Sequence, residues 1–217
     1  MMEEDLDLHF KDWTPPTEVV IVGNSPSMAK YEFGQYIDQF DTVVRLNECL
    51  HEEYFPFTGE KLDVWATTSN DRWGDYNPIT PETKEVWVRT EETKKQLKEN
   101  NTLKDFKGEV TVLERRGVAK FGKGIPTGLL AIYHARLRYQ KVSIIGNTFY
   151  LDSDKNNLRL EHFYAGESEI GAQCRQKHHH NSHDFGKKVL VYISKWMVDK
   201  SVVLLNPFEY DNLPGLQ

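Results

Sequence analysis

The stretch Glu18-Val-Val-Ile-Val-Gly-Asn-Ser25 constrains the fold most strongly, because a short apolar run stops abruptly at a glycine followed by two polar residues. Such a run is typical of a strand that is buried on both faces, as in a parallel sheet. Two further apolar runs end in a similar way, at Arg45-Leu-Asn47 and at Gly146-Asn147. In open α/β sheets, ligands bind beyond the carboxyl ends of the strands. The sequence therefore predicts a ligand site built from three strand ends.

Strand and helix patterns alternate along the chain without internal repeats, which is typical of an α/β layer fold. The predicted strands are 18–22, 42–46, 62–66, 85–88, 109–113, 142–145 and 201–205. The predicted helices are 28–40, interrupted at Gly34, then 91–99, a helix opened by Pro126, and 184–198. We expect an N-terminal tail at 1–16 and a single Rossmann-like domain at 17–217, with a mostly parallel central sheet flanked by helices.

Two connections stand out between these elements. The stretch 117–124 carries closely spaced glycines and is predicted to be a mobile connection. In the segment 151–182 the apolar residues follow neither a helical nor a strand period, and the segment is long for a structureless loop. Both features are typical of a functional lid or of disorder. We expect this segment to be a mobile lid.

Composition and charge narrow the classes of function. The formal net charge of −6 argues against a nucleic-acid partner, because phosphate binding needs a basic face. No stretch approaches the roughly 20 apolar residues that span a bilayer, and the acidic start of the chain does not resemble a secretion signal. The chain has two cysteines, Cys49 and Cys174, which suits a reducing compartment although one bridge stays possible. We therefore expect a soluble, cytoplasmic protein without a transmembrane segment.

The turn Gly23-Asn24-Ser25 and the strand end at Asn47 are candidates for nucleotide binding, together with Gly146-Asn147. Backbone N–H groups and side-chain amides at strand ends can hold the sugar and the base of a nucleotide without a metal. An ordinary strand-to-helix turn, with Ser25 or Ser27 as its N-cap, explains the first turn equally well.

The segment Pro126-Thr127-Gly128 opens a helix that is apolar on most faces and should therefore be central. The N-terminus of a helix carries unpaired N–H groups and a partial positive charge, which attract phosphate or carboxylate groups. A glycine there allows a ligand to approach closely. Simple helix capping is the alternative for this segment.

A histidine cluster, His178-His-His180 with His183 nearby, has spacings that would suit a zinc pair on a helix. No third ligand stands at an obvious spacing, so we favour His183 as a general base, because a histidine titrates near neutrality. A solvated His-rich loop is the alternative. Asp152-Ser-Asp154 has the D-x-D form of many metal-dependent glycosyltransferases, but this pattern is common by chance in polar loops.

In order along the chain, these elements resemble the motifs of the sialyltransferases of glycosyltransferase family 29. The quoted segments are Val20-Ile-Val-Gly-Asn-Ser25, Tyr36-Ile-Asp38 and Asp41-Thr-Val-Val-Arg-Leu-Asn47 for the long motif, Ile125-Pro-Thr-Gly-Leu-Leu-Ala131 with Val142-Ser-Ile-Ile-Gly146 for the short motif, His162-Phe-Tyr164 for the third, and His183-Asp-Phe185 for the very short motif. The bacterial family 42 enzymes share this plan, and Gly146-Asn-Thr-Phe-Tyr150 is similar to their version.

The chain also departs from the family pattern. The animal enzymes join a cysteine before the first strand to one in the short motif, whereas this chain has Val19, Val20 and Tyr139 in those regions. It shows no counterpart of their membrane anchor. The very short motif normally has a Glu after its His, and here the position falls at Lys187 or Lys188.

The resemblance implies a GT-A-like fold and an inverting, metal-independent transfer from a CMP-activated sugar, most simply CMP-sialic acid, to a glycan hydroxyl. It implies His183 as the base, with His162, Tyr150 and Tyr164 donating hydrogen bonds to the departing phosphate. The implied nucleotide-binding residues are Gly23, Asn24, Ser25, Asn47, Pro126, Thr127, Gly128, Gly146 and Asn147. No cofactor is expected. A nucleotide-diphosphate-sugar enzyme with a metal at Asp152 and Asp154, and a non-catalytic nucleotide- or glycan-binding relative, are the two alternatives.

Overall fold

The structure, a computed structural model, describes residues 15, 17–25, 28–29, 32–68, 76–121, 125–147 and 182–205. In these ranges seven strands form one sheet, and every neighbouring pair is parallel. The strands are β1 (Val19–Val22), β2 (Thr42–Leu46), β3 (Val64–Thr67), β4 (Glu85–Val88), β5 (Glu109–Val112), β6 (Val142–Ile145) and β7 (Val202–Leu204). The α-helices are α1 (Gly34–Ile37), α2 (Phe55–Thr58), α3 (Glu91–Glu99), α4 (Thr127–Arg138) and α5 (Ser182–Val198), and 3₁₀ turns cover Glu52–Tyr54 and Arg116–Phe121.

The strand order is β5-β4-β3-β2-β1-β6-β7, so the chain builds outward from β1 in both directions. Val22, the last residue of β1, pairs with Arg45 of β2 on one side and with Ile145 of β6 on the other. The order of connections therefore reverses between β1 and β6. In open α/β sheets, this switch point opens a crevice beyond the carboxyl ends of the strands.

Apolar residues cover both faces of the sheet, as expected for parallel strands. On one face, the apolar side chains of α4 and α5, including Leu129, Leu130 and Ile193, pack against the sheet in the largest core cluster. On the other face, Ile37 of α1 and Leu97 of α3 belong to two smaller clusters. The predicted fold class, an α/β domain with a parallel sheet between helices, is confirmed.

The main differences from the predicted elements lie between β1 and β3. Instead of a helix over 28–40, the described part of this stretch holds a 3₁₀ conformation at Met28 and Ala29 and the single α-helical turn α1, and the short helix α2 was not predicted. The two turns pack tightly, because a Cβ at Gly34 would lie 2.1 Å from the carbonyl oxygen of Phe55. Tertiary contact rather than helical periodicity therefore fixes this region.

Two boundaries elsewhere also differ. Residues 117–121 of the predicted mobile connection belong to the 3₁₀ turn Arg116–Phe121, because the side chain of Val118 is fully buried in the core. Helix α5 begins at Ser182, two residues before the predicted start. The predicted lid at 151–182 lies outside the described residues except for Ser182, and it stays a prediction.

Candidate functional site

The turns after β1 and β6 are joined directly at the switch point. The backbone N–H of Gly23 donates to the carbonyl of Ile145 at 2.8 Å, and that of Ser25 donates to Gly146 at 3.0 Å. A Cβ at Gly23 would lie 2.0 Å from the carbonyl oxygen of Gly146 and 2.7 Å from the side-chain amide of Asn147. Gly146 has a φ of 65°, a conformation that favours glycine. Both glycines are therefore required for these two turns to meet.

The side chain of Asn24 ties the turn after β1 to the end of β2. Its Nδ2 donates to the carbonyls of Leu46 at 3.0 Å and Glu48 at 2.9 Å. Between these residues, Asn47 adopts a left-handed φ of 53°, and its N–H donates to Ala66 of β3 at 2.8 Å. The predicted contact between Asn24 and a nucleotide therefore competes with a structural role for the same amide.

The side-chain oxygen of Asn47 is the clearest unsatisfied group at this edge. Its Oδ1 is buried and has no hydrogen-bond partner among the residues that the structure describes. The backbone of Asn47 is fully used, because its carbonyl accepts from Nε1 of Trp65 at 2.7 Å. A buried acceptor without a donor costs about 1–3 kcal/mol, so Oδ1 is suited to accept a hydrogen bond from a ligand.

The N-terminus of α4 faces the same crevice. Pro126 occupies the N-cap position with no side-chain hydrogen bond, so the first N–H groups of α4 are not capped by a side chain there. A Cβ at Gly128 would lie 3.0 Å from Oδ1 of Asn147 and 3.1 Å from Leu46. The helix terminus thus lies between the ends of β6 and β2. Its N–H groups and dipole favour an anion at this point.

Two residues of the long motif, the half-buried Asp38 and the buried Arg45, form a structural clamp. Asp38 accepts from the N–H groups of Glu60 at 2.9 Å and Lys61 at 3.0 Å, and its Oδ1 lies 3.5 Å from Nη2 of Arg45. Nε of Arg45 donates to the carbonyl of Lys61 at 2.8 Å. Burial lowers the pKa of the Arg45 guanidinium, and the nearby Asp38 carboxylate acts against this shift. The pair fastens β2 to the segment before β3.

Sequence reasoning missed a polar cluster just beyond β2. The carboxylate of Glu48 lies 3.9 Å from Nε2 of His51, whose ring stacks on Tyr76 with 6.4 Å between centroids. The hydroxyl of Tyr76 accepts from the N–H groups of Cys49 and Leu50, both at 2.8 Å. Burial raises the pKa of Glu48 and raises that of the free Cys49 thiol to about 11. No motif signalled this cluster, because Tyr76, which stacks on His51 and holds the backbone of Cys49 and Leu50, is distant from them in sequence.

The predicted catalytic residues are only partly within the described ranges. His183 lies in the first turn of α5. Because α5 leads through a short connection into the parallel strand β7, its N-terminus points toward the carboxyl edge of the sheet, as α4 does. His162, Tyr150 and Tyr164 lie outside the described residues, and their roles stay predictions.

The described part of the chain contains no group of three His, Cys, Asp or Glu residues that could hold a metal ion. The histidines at 178–180 and the acidic pair Asp152 and Asp154 lie outside it. Within the same ranges, no helix is both long and apolar enough to cross a membrane.

Residues 12–71 match the sequence profile described as glycosyltransferase family 29 (sialyltransferase). This range contains the turn at Gly23 and the strand end at Asn47, so the resemblance to the family, which the long motif carries in this part of the chain, is confirmed. No curated protein sequence matches the chain.

Two crystal structures of a mammalian sialyltransferase share the fold. The first, in complex with Gal-beta-1-3GalNAc-ortho-nitrophenol, is 14% identical with a TM-score of 0.56, and the match covers 86% of this chain and 68% of the other. The second is 14% identical with a TM-score of 0.59, covering 87% and 68%. At this level of identity the likeness concerns the fold.

Proposed function

We take the chain as a glycosyltransferase related to the family 29 sialyltransferases, and we propose that it transfers a sugar, most simply sialic acid, from a CMP-activated donor to a glycan hydroxyl. The transfer inverts the anomeric configuration and needs no metal. The observation that carries this proposal is the convergence, at the β1/β6 switch point, of two glycine turns, the Asn47 strand end and the N-terminus of α4. The family match covers the first of these turns and the end of β2.

The polar groups at the crevice suit a nucleoside monophosphate. The buried Oδ1 of Asn47 can accept from a hydroxyl or amino group of the nucleoside. The N–H groups at the start of α4 can hold an anionic part of the donor, and Gly128 leaves them open to close approach. A single phosphate develops less charge on leaving than a diphosphate does, so side-chain donors can replace a metal ion.

The reaction is a single displacement at the anomeric carbon. The acceptor hydroxyl forms the new glycosidic bond as the bond to the CMP phosphate breaks, and CMP leaves with the electron pair. We assign His183 as the base that takes the hydroxyl proton, and His162, Tyr150 and Tyr164 as hydrogen-bond donors to the phosphate. The start of α5, where His183 stands, points to the carboxyl edge of the sheet, which supports this assignment.

The free, buried thiol of Cys49 supports a reducing compartment, and we propose that the reaction takes place in the cytoplasm. The partners in this proposal are the CMP-sugar donor and a glycan acceptor. Nucleic acid is not among them.

Thermal unfolding with added nucleotides tests the donor class, because a ligand that binds only the folded state raises the unfolding midpoint. With EDTA present, CMP should raise the midpoint more than UDP or GDP does. Asn47→Ala should weaken CMP binding by about 1–3 kcal/mol, the cost of losing a buried hydrogen-bond partner.

Asn101→Ala is the matched control for Asn47→Ala. Asn101 also has a left-handed φ, 63°, but lies on the surface in the turn after α3. Both substitutions strain the backbone similarly, and only the change at Asn47 should affect CMP. Stronger stabilisation by UDP with Mn²⁺ would instead support the metal-dependent alternative at Asp152 and Asp154. Tight CMP binding without any transfer would support a non-catalytic relative.

A further inference from the structure

Glu48 lies directly beyond β2, next to Asn47 and about 25 residues after Gly23. Its backbone carbonyl accepts from Nδ2 of Asn24 at 2.9 Å, so the turn after β1 holds this residue against the crevice. The neighbouring Oδ1 of Asn47 is buried and has no hydrogen-bond partner within the described ranges, which independently indicates that a ligand contacts this strand end.

The Glu48 carboxylate is partly withdrawn from water, with 26% of its side chain exposed. Among the described residues, the one ionisable side chain paired with it is the imidazole of His51, at 3.9 Å. The ring of His51 is in turn held between Tyr76, on which it stacks, and Tyr54, which meets it edge-on at 6.5 Å. A carboxylate held in this way is positioned in advance and retains open acceptor sites.

The charge of the Glu48 carboxylate determines which part of a nucleotide it can bind. A carboxylate repels a phosphate, whereas its two oxygens can accept together from the two hydroxyls of a ribose. A nucleotide with its phosphate at the start of α4 extends its ribose along the strand ends. In doubly wound folds that bind dinucleotides, an acidic residue about 20 residues after the glycine turn contacts the ribose hydroxyls. Glu48 has the corresponding place in this sheet.

We propose that the Glu48 carboxylate binds the ribose hydroxyls of the donor nucleotide and makes the enzyme selective for ribonucleotides. His51 acts as a positioning residue, because it contacts the carboxylate rather than the ligand. This inference rests on the proposed CMP site and adds a specificity determinant to it.

Calorimetric binding of CMP and of 2′-deoxy-CMP tests the proposal. Wild type should bind CMP about 10- to 100-fold more tightly, the range expected for hydrogen bonds to a charged group. Glu48→Gln should lose most of this preference through weaker CMP binding, with the affinity for 2′-deoxy-CMP little changed. Glu52→Gln, at an exposed position in the adjacent 3₁₀ turn, is the matched control and should keep the full preference.

Several results would overturn the inference. Equal binding of CMP and 2′-deoxy-CMP by wild type would do so without any variant, and so would a Glu48→Gln protein that keeps the preference. Equal weakening of both ligands in Glu48→Gln would indicate a general disturbance of the site. In each of these cases CMP still binds wild type and the proposed function stands. Failure of wild type to bind CMP would remove the proposed function, and the inference with it.

Discussion

Replacing Gly23 with alanine tests whether the two glycine turns at the switch point must touch. The added Cβ would stand 2.0 Å from the carbonyl oxygen of Gly146, a backbone atom that cannot rotate away. To remove this overlap, the two turns would have to move apart by more than about 1 Å, since nonbonded atoms pack near 3.5 Å. That movement breaks the hydrogen bonds from Gly23 to Ile145, 2.8 Å, and from Ser25 to Gly146, 3.0 Å.

The cost of Gly23→Ala can be estimated from these losses. Losing two hydrogen bonds destabilises the fold by about 1 kcal/mol each, and overpacking destabilises it further, by about 1–3 kcal/mol. Alanine also makes the unfolded chain less flexible than glycine does, which offsets about 0.5–1 kcal/mol of this loss. The free energy of unfolding should therefore fall by about 2–4 kcal/mol, which corresponds to roughly 5–15 °C in midpoint for a chain of this size. Urea unfolding followed by circular dichroism measures the change.

Gly128→Ala is the matched control for this prediction. Its Cβ would meet only side-chain atoms, Oδ1 of Asn147 at 3.0 Å and Cδ1 of Leu46 at 3.1 Å, which can shift. Its stability should change by less than about 1 kcal/mol, because alanine also favours the helix. Its CMP affinity should fall, since the methyl group obstructs the start of α4. A Gly23→Ala protein as stable as wild type would refute the close contact between the turns.

Two further predictions concern stability. Burial lowers the pKa of His134, helped by the charge of Arg138, so the unfolded chain binds its proton more readily. This contribution of His134 to the free energy of unfolding is therefore fully present above about pH 6.5 and is lost as the pH drops below it. Urea unfolding between about pH 7.5 and 5.5 should show the free energy of unfolding falling with pH in wild type, and falling less steeply in His134→Gln. Equal pH dependence in the two proteins would refute this prediction. Asp38→Ala should lower stability by about 3 kcal/mol, because it leaves the buried Arg45 without its counter-charge. The exposed Asp41→Ala should change it by less than about 0.5 kcal/mol in the same urea titration, and similar effects of both changes would refute the clamp.

The sheet could be predicted from the sequence because each buried strand is a short apolar run bounded by polar or turn-forming residues. The bounds of β2, β4 and β6 agree with the prediction, and those of the other strands differ by one or two residues. The short helix α2 could not be predicted, since it has no helical period and depends on contact between Gly34 and Phe55. Such contacts join residues that local patterns treat separately.

The part of the candidate site that the strand ends form could also be predicted from the sequence. Parallel strands place their carboxyl ends at one edge, so the meeting of Gly23, Asn47 and Gly146 follows from three apolar runs with similar endings. The clamp between Asp38 and Arg45 did not follow, because a charged residue in a strand gives no indication of its partner. Glu48 was missed because its significance depends on the position of β2 beside β1.

The most direct measurement is transfer from CMP-sialic acid to a glycan acceptor in the presence of EDTA, with CMP release and product formation followed together. Wild type should release one CMP for each sugar transferred, with inverted configuration at the anomeric carbon. His183→Ala should lower turnover by roughly 10²–10⁴-fold, the contribution of a positioned acid–base group, while CMP binding stays nearly intact. Transfer abolished by EDTA, or no transfer from CMP-sialic acid by wild type, would contradict the proposed reaction.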